Sequence, residues 1–160
     1  MMRRLLLACL LLLSACASQP PLPEKTPALA LPMQLHVQRQ ADGQSQDWLL
    51  VIQREGGAIR WSMMDPLGIP QARQKLIDGA WQADGLLPPN PQARELFAAL
   101  LFALTSADDV RALYPSAQAR DLTRTLPGHW QIVYHSSEAF SVNMTGQPLS
   151  YRITPLGAAQ

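Results

Sequence analysis

Of the side chains able to act as nucleophiles, proton carriers or metal ligands, the chain holds two cysteines, three histidines and one adjacent acidic pair, Asp108-Asp109. A zinc or redox centre needs several thiolates or imidazoles converging at coordination distance. His129 and His135 fall on one side of a strand, but six residues at about 3.3 Å each put them roughly 20 Å apart. His36 stands on the polar face of an early strand, the place of an exposed or singly hydrogen-bonded imidazole. Read as a general acid with its base, Asp108 and Asp109 would point about 100° apart on a helix. They suit the first turn of that helix better, where the macrodipole favours negative charge. No His-x-x-x-His pair, Gly-x-Ser-x-Gly elbow or Gly-x-x-x-x-Gly-Lys loop occurs. Enzymatic activity, a metal and a cofactor are therefore not expected.

The cysteines have a different chemistry. Leu13-Ser14-Ala15-Cys16 matches the bacterial lipobox, in which small residues flank the bond to be cut and a thiol follows it. Upstream, Arg3 and Arg4 precede an apolar run of nine residues, Leu5 to Leu13, too short to span about 30 Å of hydrocarbon. Residues 1–15 read as a cleaved lipoprotein signal peptide. Cys16 is then acylated on sulfur and on the new amino group, and several chains hold firmly because each buried methylene contributes ~0.8 kcal/mol. Ala17 and Ser18, where an aspartate would signal inner-membrane retention, point to the outer membrane and its periplasmic face. Cys9 leaves with the signal, so the mature domain has no disulfide.

Composition fits a folded domain, with 48% hydrophobic and 16% charged residues. Without the signal the balance is 11 basic against 12 acidic residues, which gives a nucleic acid nothing to bind. About 145 residues suffice for one modest core, expected as a monomer. Residues 16–32 hold the lipidated Cys16 and five prolines, and read as a semi-extended tether lifting the domain off the lipid surface. Residues 33–156 are the domain and 157–160 a tail.

Within the domain, Met33, Leu35 and Val37 alternate with polar residues, as in a half-buried strand. Asp42-Gly43 makes a turn, Trp48 to Arg54 is apolar on both faces, and Glu55-Gly56-Gly57 turns the chain into Ala58 to Met64. Pro66 and Gly68 break the ladder before strands over Ile69 to Asp78 and around Ala80 to Gln82. Asn90 as N-cap, Pro91 at the first helical position and Leu96, Phe97, Leu100, Leu101 and Leu104 at three- and four-residue steps predict a helix over Pro91 to Leu104. Ser106 starts a short second helix to Tyr114, and Pro115 ends it. Strands follow over Asp121 to Leu126, Trp130 to His135, Phe140 to Met144 and Leu149 to Thr154. The order places the domain in the α+β class, an antiparallel sheet with helices on one side.

Two features invite a binding role. Leu67 occupies a turn tip, where apolar residues are disfavoured unless they fold back on the core. Trp48, Trp61, Trp81 and Trp130 join several methionines around a Leu- and Phe-rich helix, a composition suited to a core or to a cavity that repacks around apolar cargo. At this point the residues resemble a known family. Met63-Met64-Asp65-Pro66-Leu67-Gly68 is similar to the strand-Asn-Pro-Leu-Gly-strand segment of LolB, and Gly128-His129-Trp130-Gln131-Ile132-Val133-Tyr134 to its Gly-x-x-Trp-x-Val-x-Tyr strand.

The resemblance implies a strongly curved, unclosed antiparallel β-barrel with one long and one short helix covering its concave face. It further implies a receptor that takes acylated lipoproteins from a LolA-like periplasmic carrier. Pro66, Leu67 and Gly68 would be the membrane-contact loop. Trp48, Leu50, Trp61, Met63, Phe97, Leu100, Leu101, Trp130, Ile132 and Tyr134 would line the hydrophobic cavity. The chain is also similar to a family of short proteobacterial lipoproteins on the same scaffold, some encoded beside aryl-polyene pigment genes. For those the implied ligand is a lipid-like conjugate. The alternative is a structural or assembly lipoprotein with a self-filled core and protein partners.

Overall fold

The computed structural model describes residues 19–157. The expected signal peptide and the expected lipidation site Cys16 lie outside the described residues. Ten strands form one sheet: β1 (Met33–Ala41), β2 (Gln44–Glu55), β3 (Ala58–Met64), β4 (Pro70–Ile77), β5 (Ala80–Ala83), β6 (Gln118–Arg120), β7 (Thr123–Leu126), β8 (Trp130–Tyr134), β9 (Phe140–Met144) and β10 (Leu149–Pro155). Between β5 and β6 come helices α1 (Pro91–Leu104) and α2 (Ala107–Leu113). The spatial order is β5-β4-β3-β2-β1-β10-β9-β8-β7-β6, with antiparallel pairing throughout, and β5 and β6 are left as unjoined edges. Strand β1 closes on β10, so the two ends of the domain sequence meet mid-sheet.

Period-two burial sets which face looks inward. Leu35 and Val37 of β1, Leu50 and Ile52 of β2, Trp61 and Met63 of β3, Trp130 and Ile132 of β8, and Tyr151 and Ile153 of β10 are all buried. Every residue of α1 from Leu96 to Ala103 is buried too. A flat sheet can cover only one stripe of a helix, so this sheet curls around α1. Ring contacts show both halves closing on it: Trp61 of β3 meets Phe97 at 5.5 Å between centroids, and Trp130 of β8 meets Phe102 at 6.0 Å. The α+β class, the open antiparallel sheet and the two helices agree with the sequence reading. Of the helices it is α1 that fills the concave face, since α2 buries only Val110.

Asn90 caps α1 by accepting a hydrogen bond from the Ala93 N–H at 3.0 Å, with Pro91 in the first turn. Ser106 does the same for α2 through the Asp109 N–H at 3.1 Å, so Asp108 and Asp109 occupy the acidic first turn expected of them. Asp42-Gly43 and Asp78-Gly79 both have positive φ at both positions, as tight two-residue hairpins require.

Three differences from the sequence reading have local causes. One strand was expected from Asp121; instead Asp121 adopts φ +50° and folds the chain into a small hairpin, β6–β7. His129 sits in the turn before β8 and His135 just after its end, so the strand that was to carry both holds neither. The proline-rich segment, in its described part, is a strap packed on the barrel. Leu29 joins the core, Pro23 and Pro27 are buried, and Leu22 and Leu31 pack against the core. Its Pro23 and Glu24 carbonyl oxygens lie 3.3 and 3.2 Å from where a Cβ on Gly79 would stand, so glycine, at φ +72°, lets the strap approach that turn without being pushed back. Prolines prevent the segment from joining the sheet but do not prevent its leucines from burying.

If the strap contributes to stability, Leu29→Ala should lower the unfolding free energy by about 2 kcal/mol. Urea denaturation reads this as a lower midpoint at unchanged slope; an unchanged midpoint would mean that the strap is not held in solution.

Candidate functional site

The loop between β3 and β4 is built around one carboxylate. Asp65 Oδ1 accepts hydrogen bonds from the Leu67 and Ile69 N–H groups, both at 2.9 Å. The Asp65 N–H donates to the Ile69 carbonyl at 3.0 Å, and the Gly68 N–H to the Asp65 carbonyl at 2.9 Å. Gly68 takes φ +81°, which closes the turn. With its backbone tied inward, the loop turns Leu67 outward, 85% exposed, and Ile69 is exposed beside it. Leu67 therefore does not fold back on the core. Leu86, in the loop after β5, is fully exposed as well. The role of Asp65 went unread in the sequence, although an aspartate ahead of Pro-x-Gly is the residue type that makes such side-chain turns.

The loop is wired to the start of α1. Gln71 Nε2 donates to Asp65 Oδ2 at 3.5 Å and to the Ile69 carbonyl at 3.4 Å, while Asn90 Nδ2 donates to the Gln71 carbonyl at 3.3 Å. Arg94 Nε reaches Gln74 Oε1 at 3.4 Å. These are long hydrogen bonds, and they are what ties the first turn of α1 to β4.

The other end of α1 is held much more tightly. Arg124, on the inward face of β7, is buried and donates from Nη1 to the carbonyls of Phe102 at 2.9 Å, Ala103 at 3.4 Å and Thr105 at 2.7 Å. Tyr134 Oη donates to the Ala103 carbonyl at 2.7 Å, and Thr105 Oγ1 to the Leu101 carbonyl at 2.7 Å. The guanidinium carbon lies 5.7 Å from the Phe102 ring centre and 5.5 Å from that of Tyr134. A positive charge at the negative pole of a helix, stacked on two rings and donating to its last carbonyls, has its burial largely compensated. Its signal in the sequence was faint: an arginine two residues before Leu126, on the face that the strand alternation turns inward.

The ten residues expected to line a cavity divide unevenly. Leu50, Trp61, Met63, Phe97, Leu100, Leu101, Trp130 and Ile132 are buried, and all but Met63 lie in side-chain packing that borders none of the larger clefts described here. Tyr134 is half-buried and serves as a hydrogen-bond donor to α1. Trp48 and Met63 border a cleft of about 190 Å³ between the start of α1 and strands β2, β3, β4 and β10, together with Gln46, Gln71, Asn90, Gln92, Ala93, Leu96 and Tyr151. Gln71 thus belongs both to the cleft wall and to the Leu67 loop. The volume is below the ~300 Å³ typical of a small-molecule pocket.

The histidines stay apart from all this. His36 Nε2 pairs with Asp47 Oδ1 at 2.8 Å across the outer face, His135 with Ser141 Oγ at 2.8 Å, and His129 lies beside Trp130. Among the described residues no group of three His, Cys, Asp or Glu could hold a metal, and no helix is long and apolar enough to cross a membrane. The chain matches no family model and no curated protein.

Burial pushes three phenols up: Tyr151 to about 12 with Arg39 pulling the other way, Tyr134 above its usual value, and Tyr114 further still. The unfolded chain then loses phenolic protons near pH 10 that the folded chain keeps. Stability should fall as pH rises through roughly 10 to 12, by up to ~1.4 kcal/mol per pH unit per tyrosine. Urea midpoints across that window should show the decline, and Tyr151→Phe should make it shallower. Replacing Arg124 by leucine leaves the Phe102 and Thr105 carbonyls without their side-chain donor, Ala103 keeping Tyr134, and should destabilise by about 3 kcal/mol. Arg124→Lys, with one point charge for a fork of donors, should restore only part of that loss.

Proposed function

We propose that this chain is a lipid-anchored outer-membrane protein of the LolB type that receives a hydrophobic or acylated ligand under α1 and releases it into the bilayer. The observation that carries the reading is Leu67: an exposed leucine on a hydrogen-bonded loop with no charge from residue 66 to residue 70, joined through Gln71 to the cleft at the start of α1. Leucine at the tip of a rigid, uncharged turn is disfavoured in water and favoured in the hydrocarbon boundary of a membrane.

The packed strap supports the same reading. Leu22 already contacts the core, so an acylated Cys16 would stand six residues away, within roughly 20 Å of extended chain. Lipidation would keep the domain beside the bilayer. The ligand enters where α1 is least held. Its last turn is pinned by Arg124, Tyr134 and Thr105, whereas its first turn has the long contacts to Gln71 and Gln74. Lifting the start of α1 would enlarge the cleft toward Trp61 and Phe97 with no buried hydrogen bond broken at the far end. Transfer then runs down apolar contacts, each buried side chain contributing ~1.5–3 kcal/mol. A LolA-like carrier would deliver the ligand, and no covalent chemistry is required.

The self-filled interior favours a second reading, a structural lipoprotein with protein partners. Native mass spectrometry of the purified chain separates them, since co-purified lipid supports transfer. In a vesicle assay with a fluorescent acylated peptide, Leu67→Glu should abolish delivery to the membrane and leave peptide binding intact. Delivery at the parent rate would remove the membrane-contact role of the loop, and failure of the parent chain to bind the peptide would remove the whole reading.

A further inference from the structure

The cleft at the start of α1 is polar in a particular way. Its wall carries the amides of Gln46, Gln71, Asn90 and Gln92, and none of its lining residues is charged. Behind them stands Tyr151, which is 1% exposed; its oxygen faces the Arg39 guanidinium, and its O–H has no acceptor among the described residues. Arg39 is its direct cross-strand neighbour on β1, and Arg39 Nε is likewise buried with no partner. Arg39 Nη1 donates to Gln46 Oε1 at 3.4 Å, which ties this guanidinium to the cleft wall.

A buried donor without an acceptor is destabilising by about 1–3 kcal/mol, and folded chains keep few of them. A phenol donor without an acceptor in the wall of a small uncharged cleft forms a site waiting for one. The opposite wall sets what the acceptor is attached to. Met63 and Leu96 line the cleft, and behind them Trp61 and Phe97 continue into the core. A ligand seated here therefore meets polar groups, with the packed hydrocarbon of the core behind Met63 and Leu96. About 190 Å³ suits a head group and not the chain that follows it.

We infer that this cleft binds the carbonyl end of an acyl chain, with the Tyr151 hydroxyl donating to the acyl oxygen and the chain passing inward between Met63 and Leu96. This rests on the proposed binding of an acylated ligand and adds which part of it is recognised. The carbonyl belongs to an ester or amide, or to a free carboxylate facing Arg39; all share the acceptor that Tyr151 lacks. Tyr151→Phe removes the donor and keeps the ring, and its urea midpoint shows whether the chain still folds, so loss of affinity in the folded variant is a direct readout of ligand contact.

The test uses the mature chain and the fluorescence of Trp48, isolated by difference against Trp48→Phe, titrated with monopalmitoylglycerol, palmitate and hexadecane as probes of one chain length. Monopalmitoylglycerol should bind about tenfold more tightly than hexadecane, and Tyr151→Phe should remove most of that difference while leaving hexadecane unchanged. Palmitate weakened by Arg39→Gln as well as by Tyr151→Phe would support the same carbonyl contact from a carboxylate source. Equal affinity for the ester and the alkane, or full ester affinity in a stably folded Tyr151→Phe chain, would overturn the inference while leaving an apolar transfer function standing. Binding of none of the three probes would overturn the function along with it.

Discussion

Helix α1 is buried at every position from Leu96 to Ala103, and a helix enclosed on all sides cannot leave its end groups to water. The rest of the structure depends on how that requirement is met. At the carboxyl end it is met from outside the helix, by Arg124 reaching across from β7 to three carbonyls and by Tyr134 from β8. At the amino end it is met locally, by the Asn90 side chain and by Pro91, which has no N–H to satisfy. Sheet curvature, the seam left between β5 and β6, and the position of the connecting loops all follow from wrapping one sheet around this rod.

The unequal ends give the helix a mechanical polarity. A buried guanidinium that is stacked on Phe102 and Tyr134 and bonded to carbonyls is difficult to displace, because any movement strands both the cation and its acceptors. The contacts of the first turn are long and lie at the edge of a cleft, where water can replace them. That end is also the one connected to the Leu67 loop through Gln71 and Asp65. The Leu67 loop and the cleft are thereby joined by a few hydrogen bonds within one corner of the fold.

The outer surface carries ordinary polar compensation. Asp84 receives Arg60 at 2.7 Å and Lys75 at 3.5 Å, which pins the start of the long loop leading to α1. Glu55 completes the group with Arg60 at 2.7 Å and Lys75 at 3.2 Å. The features on which the proposed function rests lie instead in uncharged places: the Leu67 turn and the amide-lined cleft with Tyr151 in its wall. Under the proposed function few charges are needed there, since a charge would have to be desolvated at each passage of apolar cargo.

What the chain determined by itself is what its neighbours along the chain decide. Asn90, Pro91 and the leucine spacing set both ends of α1, Ser106 started α2, and period-two alternation identified most of the strands, because capping, turn conformation and face periodicity are short-range effects. The export motif at Cys16 is likewise a local signal. What only the tertiary structure decided involves partners far apart in sequence. Whether the proline segment hangs free or straps the barrel depends on Gly79, more than fifty residues away. Whether Arg124 is exposed or a helix cap depends on carbonyls about twenty residues upstream. Whether the aromatic and leucine-rich set encloses a cavity or fills one depends on where a curled sheet places side chains from β2, β3 and β8 around α1. Alternation could say that Trp61 and Trp130 face inward, but only the curled sheet could say that they meet Phe97 and Phe102 of α1, leaving the opening at Trp48, Met63 and Tyr151.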